Sequence, residues 1–271
     1  MSTTTLEAPT GTRPVPREAR TAQPIPMTRI VGVELRKMFN TRSGFWLMTS
    51  IGIAAVLATV ATLLFAPDDE LTQEAFSGAI GFPMAVILPM VAILSVTSEW
   101  TQRSGLSTFT LIPHRGRVIA AKAVATVIIA VASMLVAMVI GALGNILGTA
   151  ITDTPTVWDT SFVQLSEIVL ANVLGMLIGF MLGVLIRNSA GAIVGYFVTM
   201  LVLPGLSELL AANAAWFRDA QPWVDFPFAR GELFEGGMAA SDWAHLATTT
   251  GIWIVVPLAI GLRLLLRSEV K

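Results

Sequence analysis

Six apolar segments divide the sequence, and their length constrains the fold more than any other feature. They lie at approximately 45–66, 80–97, 118–147, 168–186, 190–212 and 246–266. An α-helix needs roughly 20 apolar residues to cross the hydrocarbon core of a bilayer, where it satisfies its own backbone hydrogen bonds. The segments therefore predict an all-α polytopic membrane protein with six transmembrane helices.

The composition supports this class. Of the 271 residues, 54% are hydrophobic and only 13% are charged, whereas charged residues make up about a quarter of a typical globular domain. One soluble domain could not bury so much apolar surface. Because the chain has no cysteine, disulfides, iron–sulfur clusters and thiolate metal sites are excluded.

The sequence before the first segment changes character near residue 27. Residues 1–26 are rich in Thr, Pro and Arg and lack the apolar core of a signal peptide, which predicts a disordered cytoplasmic tail. Residues 27–43 predict a basic helix in the membrane interface, or alternatively a cytoplasmic extension of the first span. The residues expected on its apolar face are Val31, Leu35, Met38 and Phe39, and its charged residues include Arg29, Glu34, Arg36 and Lys37.

The distribution of basic residues predicts the orientation. Lys and Arg gather before the first segment, between the second and third, between the fourth and fifth, and after the sixth, whereas the alternate connections are acidic. Cytoplasmic loops carry the excess of Lys and Arg in membrane proteins. We therefore expect a protein of the plasma membrane with both termini in the cytoplasm. Residues 213–242 are expected to form an outer loop.

The connection between the second and third segments, residues 98–117, holds the densest basic cluster. It also carries large apolar residues, such as Trp100 and Phe109, that a solvated loop does not need. Charge beside exposed apolar surface is typical of a docking element for a soluble partner. Alternatively, Arg115, Arg117 and the nearby Lys122 contact anionic lipid headgroups and fix the topology.

Small residues recur at a spacing of four in the fourth and fifth segments. They are Gly175, Gly179, Gly183, Gly191 and Gly195. Helix backbones approach closely where no Cβ intervenes, so these positions predict packing seams. The alternatives are a dimer-specific face or a substrate path.

The fifth segment contains Pro204 and Gly205, which predict a kink or break. Glu208 follows one turn later and is either a wetted carboxylate at the outer end of a broken helix or a gating group. Glu167, at the start of the fourth segment, is expected near the outer interface. This scarcity of intramembrane charge argues against an ion-coupled transporter.

Catalytic chemistry in this chain is also disfavoured. A phosphate-binding P-loop needs Gly-Lys-[Ser/Thr], and none of the three lysines, Lys37, Lys122 and Lys271, follows a glycine. The two histidines, His114 and His245, fall on opposite sides of the membrane by the predicted topology, so they cannot share a metal. We therefore predict no catalytic residue, no metal site and no cofactor in this chain.

The 98–117 connection contains Glu99-Trp100, Ser104-Gly105-Leu106 and the run from Pro113 to Arg117, and it leads to Ala121-Lys122. Together with six spans and an N-terminal helix carrying Glu34, Arg36 and Lys37, this arrangement resembles the membrane subunit of type-2 ATP-binding-cassette (ABC) exporters. The resemblance covers about 27–271, the expected permease domain.

The resemblance implies how such a chain would work. The 98–117 connection would form a cytoplasmic coupling helix that sits in a groove of a separate ATPase subunit, which binds ATP and Mg²⁺. A second permease subunit would complete an export pathway for a small amphipathic or hydrophobic molecule, and no nucleic-acid partner is implied. The residues expected to contact the ATPase are Glu99, Trp100, Arg103, Leu106, Phe109, Arg115 and Arg117.

Two other functions fit the sequence less well. One is a secondary transporter driven by an ion gradient. The other is a membrane anchor subunit that binds an ATPase without transporting anything.

The predicted topology can be tested by cysteine labelling, because the chain has no cysteine of its own. Single cysteines at Asp69 and Asp159 should react with a membrane-impermeant maleimide added outside the cell, and a cysteine at Arg187 should react only after permeabilisation. The opposite labelling pattern would invert the orientation.

Overall fold

The computed structural model describes residues 25–40, 42–101 and 115–267, without the side chains of residues 43, 69, 99–101 and 115. The predicted tail therefore lies almost entirely outside the described residues. The helices are α1 (Met27–Asn40), α2 (Arg42–Phe65), α3 (Gln73–Thr101), α4 (Arg115–Thr152), α5 (Phe162–Ile186), α6 (Ser189–Phe197), α7 (Leu203–Asn213), α8 (Ala215–Val224), α9 (Phe226–Glu235), α10 (Ala240–Thr250) and α11 (Val256–Arg267). This part of the chain holds no β-strand, so the all-α prediction is confirmed.

The prediction of six membrane spans is confirmed by six helices that are long and apolar enough to cross a bilayer. The first to sixth spans cover Gly44–Phe65, Gln73–Ser98, Gly116–Thr152, Phe162–Ile186, Ser189–Asn213 and Ala240–Arg267. We name the two ends of this bundle the α1 end and the α9 end, after the short helices that pack there.

Several spans are longer than their apolar segments. The second span begins at Gln73 rather than residue 80, and the fourth begins at Phe162 rather than residue 168. Apolar length marks only what the hydrocarbon buries, whereas backbone hydrogen bonds continue through polar turns until a cap ends them. At the fourth span this cap is Ser161, whose hydroxyl accepts a hydrogen bond from the Gln164 amide at 3.1 Å.

The fourth span lies at the centre of the bundle and packs against the second, third and sixth spans and α9. A Cβ atom at Gly179 would lie 2.6 Å from the carbonyl oxygen of Pro89, so the fourth and second spans meet at backbone contact. One turn later Gly183 faces Val96 of the second span, and Gly191 of the fifth span faces Ile186. These glycines thus make contacts within one chain.

A proline in the second span explains a contact that the sequence did not predict. Pro89 has no N–H to donate to the carbonyl of Ala85, four residues earlier in the helix. The hydroxyl of Tyr196 donates to this carbonyl at 2.5 Å, and the Tyr196 side chain is 1% exposed. The fifth span is therefore joined to the second where the helix of the second span lacks a backbone hydrogen bond.

The expected break at Pro204 and Gly205 is not present, because the fifth span stays helical through both residues. The irregularity instead precedes the proline, as a π-helical segment at Val198–Val202. A second π-helical segment, Gly251–Val255, likewise ends two residues before Pro257 in the sixth span. A proline ring clashes with the carbonyl four residues before it, and the wider π turn relieves this clash without ending the helix.

The predicted outer loop 213–242 contains two short helices, α8 and α9. Asp225 caps α9 by accepting a hydrogen bond from the Phe228 amide at 3.1 Å. Its other carboxylate oxygen accepts from the hydroxyl of Ser207 in the fifth span, and Gln221 donates to the same hydroxyl at 3.2 Å. This network fixes α8 and α9 to the end of the fifth span.

Replacing Gly179 by alanine should lower the free energy of unfolding of the detergent-solubilised protein by about 1–3 kcal/mol, because the new methyl group meets backbone atoms that cannot move aside. The matched control is Gly52→Ala in the first span, where an added Cβ meets nothing within 4 Å. Equal stability of the two variants, measured by denaturant titration, would contradict close packing at Gly179.

Candidate functional site

The predicted coupling residues fall mostly outside the described residues. Arg103, Leu106 and Phe109 belong to the undescribed segment 102–114. For Glu99, Trp100 and Arg115 only the backbone is described, at the end of α3 and the start of α4. The remaining coupling residue is Arg117, whose Nη2 donates to the carbonyl of Ile25 at 2.6 Å.

A buried ion pair lies at the α1 end, directly beside this connection. The Lys122 ammonium is 2.5 Å from Glu34 Oε2 and also donates to the carbonyl of Ser95 at 3.2 Å. Lys122 is 2% exposed and Glu34 is 3% exposed. The expectation that Lys122 contacts lipid headgroups is therefore wrong, because its charge is paired inside the protein.

The second oxygen of the Glu34 carboxylate is also paired, with Lys37 at 2.8 Å. The buried residues of α1 are Ile30, Glu34 and Met38, which follow one another at a spacing of four and form one stripe of the helix. Phe39, expected on the apolar face, is 48% exposed. The contacts fix α1 to the bundle, and its position in the membrane interface stays a prediction.

The ion pair joins three parts of the chain: α1, the end of the second span and the start of the third. These two span ends flank the 98–117 connection. The other connection between spans at this end is only two residues long, since α5 ends at Ile186 and α6 begins at Ser189. Among the described residues, α1 and the two span ends that flank the connection therefore lie together at the α1 end, and docking of a partner there stays a prediction.

The gate candidates lie on α7 in the fifth span. Glu208 and Gly205 are exposed, and an added Cβ at Gly205 would meet nothing within 4 Å. Pro204 follows the π-helical segment. Their gating role stays a prediction.

A cleft of about 380 Å³ opens at the α9 end between the second span, the start of the fourth span and α9. The second span contributes a row of small residues that includes Ser77, Gly78 and Gly81. Added Cβ atoms at the two glycines would meet nothing within 4 Å, so this wall is open. The volume lies in the range of small-molecule binding sites, about 300–1,000 Å³.

Arg230 of α9 lines this cleft and is only 6% exposed. Its Nε donates to the carbonyl of Ala171 in the fourth span at 2.7 Å, and its Nη1 contacts Met200 Sδ at 3.4 Å. The guanidinium carbon lies 5.4 Å from the centre of the Phe234 ring. Burial lowers the pKa of the Arg230 guanidinium below its usual value, but arginine starts so high that it remains charged at neutral pH.

Arg230 is one of the few basic residues in the predicted outer loop 213–242, which is acidic, and the charge pattern did not single it out. A signal was present: Phe226, Ala229, Arg230 and Leu233 follow helical spacing after the Asp225 cap, so the arginine falls on the face that becomes buried. Glu167, expected near the outer interface, lies near the start of α5 and is only 5% exposed. Its Oε2 has no hydrogen-bond partner among the described residues.

Comparison with known families decides the class. A family model described as ABC-2 family transporter protein matches residues 49–270, which is most of the chain. The chain belongs to the ABC-2 transporter family. It is accordingly a multi-pass membrane subunit, or permease, of an ABC transporter. The match begins inside the first span, so α1 and Glu34 of this permease lie outside it. No curated protein matches the chain significantly.

Removing one partner of the buried ion pair should destabilise the permease. Glu34→Ala leaves the Lys122 charge buried without its carboxylate, and we expect a loss of about 3–5 kcal/mol in the free energy of unfolding. Adding Lys122→Met should restore part of this loss, because the uncompensated charge is then gone. The control, Glu208→Ala, removes an exposed carboxylate and should change stability by about 0.5 kcal/mol or less. A loss for Glu34→Ala no larger than the control would contradict the pairing.

Proposed function

We propose that this permease is one half of the membrane pathway of an ATP-driven exporter, powered by a separate ATPase that docks on the 98–117 connection. A second permease subunit completes the pathway, and the substrate is a small amphipathic or hydrophobic molecule. The observation that carries this proposal is the buried contact of Lys122 with Glu34 and the Ser95 carbonyl. It ties both sides of the docking connection to α1.

This contact gives the connection a mechanical role. A flexible loop would absorb a push from an ATPase by bending. Here the end of the second span, the start of the third span and α1 share polar bonds around one buried ion pair, and separating Lys122 from Glu34 would leave the lysine charge without its carboxylate in the interior. A displacement of the connection is therefore passed to these three helices together.

The third span suits the role of a lever. Its helix, α4, has 38 residues, which at 1.5 Å per residue gives about 57 Å, nearly twice the thickness of the hydrocarbon core. Motion at its first turn therefore reaches the opposite side of the membrane. The π-helical segments of the fifth and sixth spans, Val198–Val202 and Gly251–Val255, are the irregular places where those spans can adjust, since such segments often mark functional sites.

Transport assays with the permease reconstituted into proteoliposomes distinguish ATP-driven from gradient-driven transport. Export into proteoliposomes should require ATP and the ATPase chain and should persist when ionophores collapse the ion gradients. Transport that continued without the ATPase but stopped with the gradient would instead identify a secondary transporter. ATPase binding without any substrate movement would identify an anchor subunit.

Substituting Phe109 and Arg115 by alanine should abolish co-purification with the ATPase and coupled ATP hydrolysis while leaving membrane insertion intact, because an apolar anchor and a charged contact are both lost. The matched control is Phe162→Ala with Arg218→Ala, which removes the same residue types near the α9 end. Phe162 is 85% exposed there. Unchanged coupling in the Phe109 and Arg115 variant would remove the connection from its assigned role.

A further inference from the structure

Arg230 has binding capacity that the described residues do not use. Guanidinium carries five N–H donors in a planar fork. Nε binds the Ala171 carbonyl, Nη1 meets only the weak acceptor Met200 Sδ, and Nη2 has no hydrogen-bond partner among the described residues. Within the same part of the chain, no carboxylate forms an ion pair with Arg230.

The free-energy cost of burying the Arg230 charge indicates that a counter-ion would bind beside it. A buried charge without a counter-charge is strongly destabilising, and a single aromatic ring such as that of Phe234 offsets only part of that cost. The ring therefore does not balance the charge. An anion in the cleft would do so, and charge-assisted bonds to guanidinium are among the strongest hydrogen bonds in proteins.

The fourth span leaves room for the guanidinium at Gly175. A Cβ atom there would lie 3.1 Å from Nη2 of Arg230, tighter than an ordinary van der Waals contact. Any larger residue would therefore push the guanidinium away from its position. Gly175 does not itself line the cleft, but it leaves the space in which the Arg230 guanidinium lies.

The rest of the cleft specifies the kind of molecule. Phe82, Ile168 and Phe234 give it apolar walls, and Ser77 and Gln164 add neutral polar groups. A buried cation at one place and apolar walls elsewhere suit a molecule with an acidic group and a hydrocarbon tail. Glu74, which also lines the cleft and is exposed, repels additional negative charge and so disfavours a polyanion.

We propose that the cleft binds a singly charged anionic amphiphile, with its carboxylate or phosphodiester on Arg230 and its tail along Phe82, Ile168 and Phe234. The assignment of this amphiphile as the transported substrate rests on the exporter function proposed above. Binding itself does not, because it requires neither ATP nor an ATPase.

Binding is measured on the purified full chain in a neutral detergent, with the fluorescent fatty acid 11-(dansylamino)undecanoate as the probe. Dodecanoate should displace the probe, and dodecanol, which has the same tail without the charge, should compete at least tenfold more weakly. Arg230→Gln should weaken probe binding about tenfold or more. The control is Arg218→Gln, which removes an arginine that does not line the cleft and should leave binding unchanged.

A second variant keeps the test valid if Arg230→Gln does not fold. Gly81→Leu leaves Arg230 intact and adds a side chain where the glycine faces open space, so it should fold and fill the cleft. It should also weaken probe binding about tenfold. Equal competition by dodecanol and dodecanoate, or full binding by folded Arg230→Gln or Gly81→Leu, would overturn the proposal.

Two further measurements identify the source of the anion and distinguish failure of the cleft proposal from failure of the exporter proposal. In nanodiscs, displacement of the probe by phosphatidylglycerol assigns the site to a membrane lipid, and its absence assigns the site to a free amphiphile. Normal probe binding together with loss of ATP-coupled export would contradict only the exporter function, whereas loss of binding with intact coupling would contradict only the cleft.

Discussion

The contact between Gly179 and Pro89 is the constraint on which the rest of the structure depends. It brings the backbone of the fourth span into contact with the backbone of the second. Because lipid tails are themselves apolar, the hydrophobic effect does not drive helices together in a bilayer, and close packing must hold them instead. The same two spans then define both ends of the protein. At the α1 end the second span offers the Ser95 carbonyl to Lys122, and at the α9 end both spans line the cleft with Arg230.

The buried cations Lys122 and Arg230 differ in how completely their charges are paired. Lys122 is surrounded by its own chain, with a carboxylate at 2.5 Å and a carbonyl at 3.2 Å, and it serves to join helices. Arg230 has a carbonyl, a thioether and an aromatic ring, but no ion pair among the described residues. A satisfied charge makes a rigid joint, whereas an incompletely satisfied charge beside an open cleft retains affinity for an anion. The two ends thus fit the two tasks proposed above, coupling to an ATPase at the α1 end and binding a ligand at the α9 end.

Family membership gives the transporter class, but the contacts of individual side chains show how the helices of this permease are held together. The match covers residues 49–270 and so does not include the partner that Glu34 supplies from α1. In this permease, however, α1 completes the charge balance at the base of the third span. Likewise the single tyrosine, Tyr196, supplies the donor that Pro89 removes from the second span, which keeps a proline-containing helix intact in a bilayer.

The sequence by itself determined the number of spans and the helical class, because crossing hydrocarbon demands a fixed apolar length and internally satisfied backbones. It also marked Gly179 and Gly183, where the fourth span lies against the second. Tertiary structure alone decided which charges meet: Glu34 and Lys122 are 88 residues apart, and Arg230 reaches a carbonyl 59 residues away. Such pairings depend on helix rotation and neighbour choice, which local pattern does not encode. For that reason the partners of Arg230 and the burial of Lys122 became visible only in three dimensions, although helical spacing already placed Arg230 on the apolar face of α9.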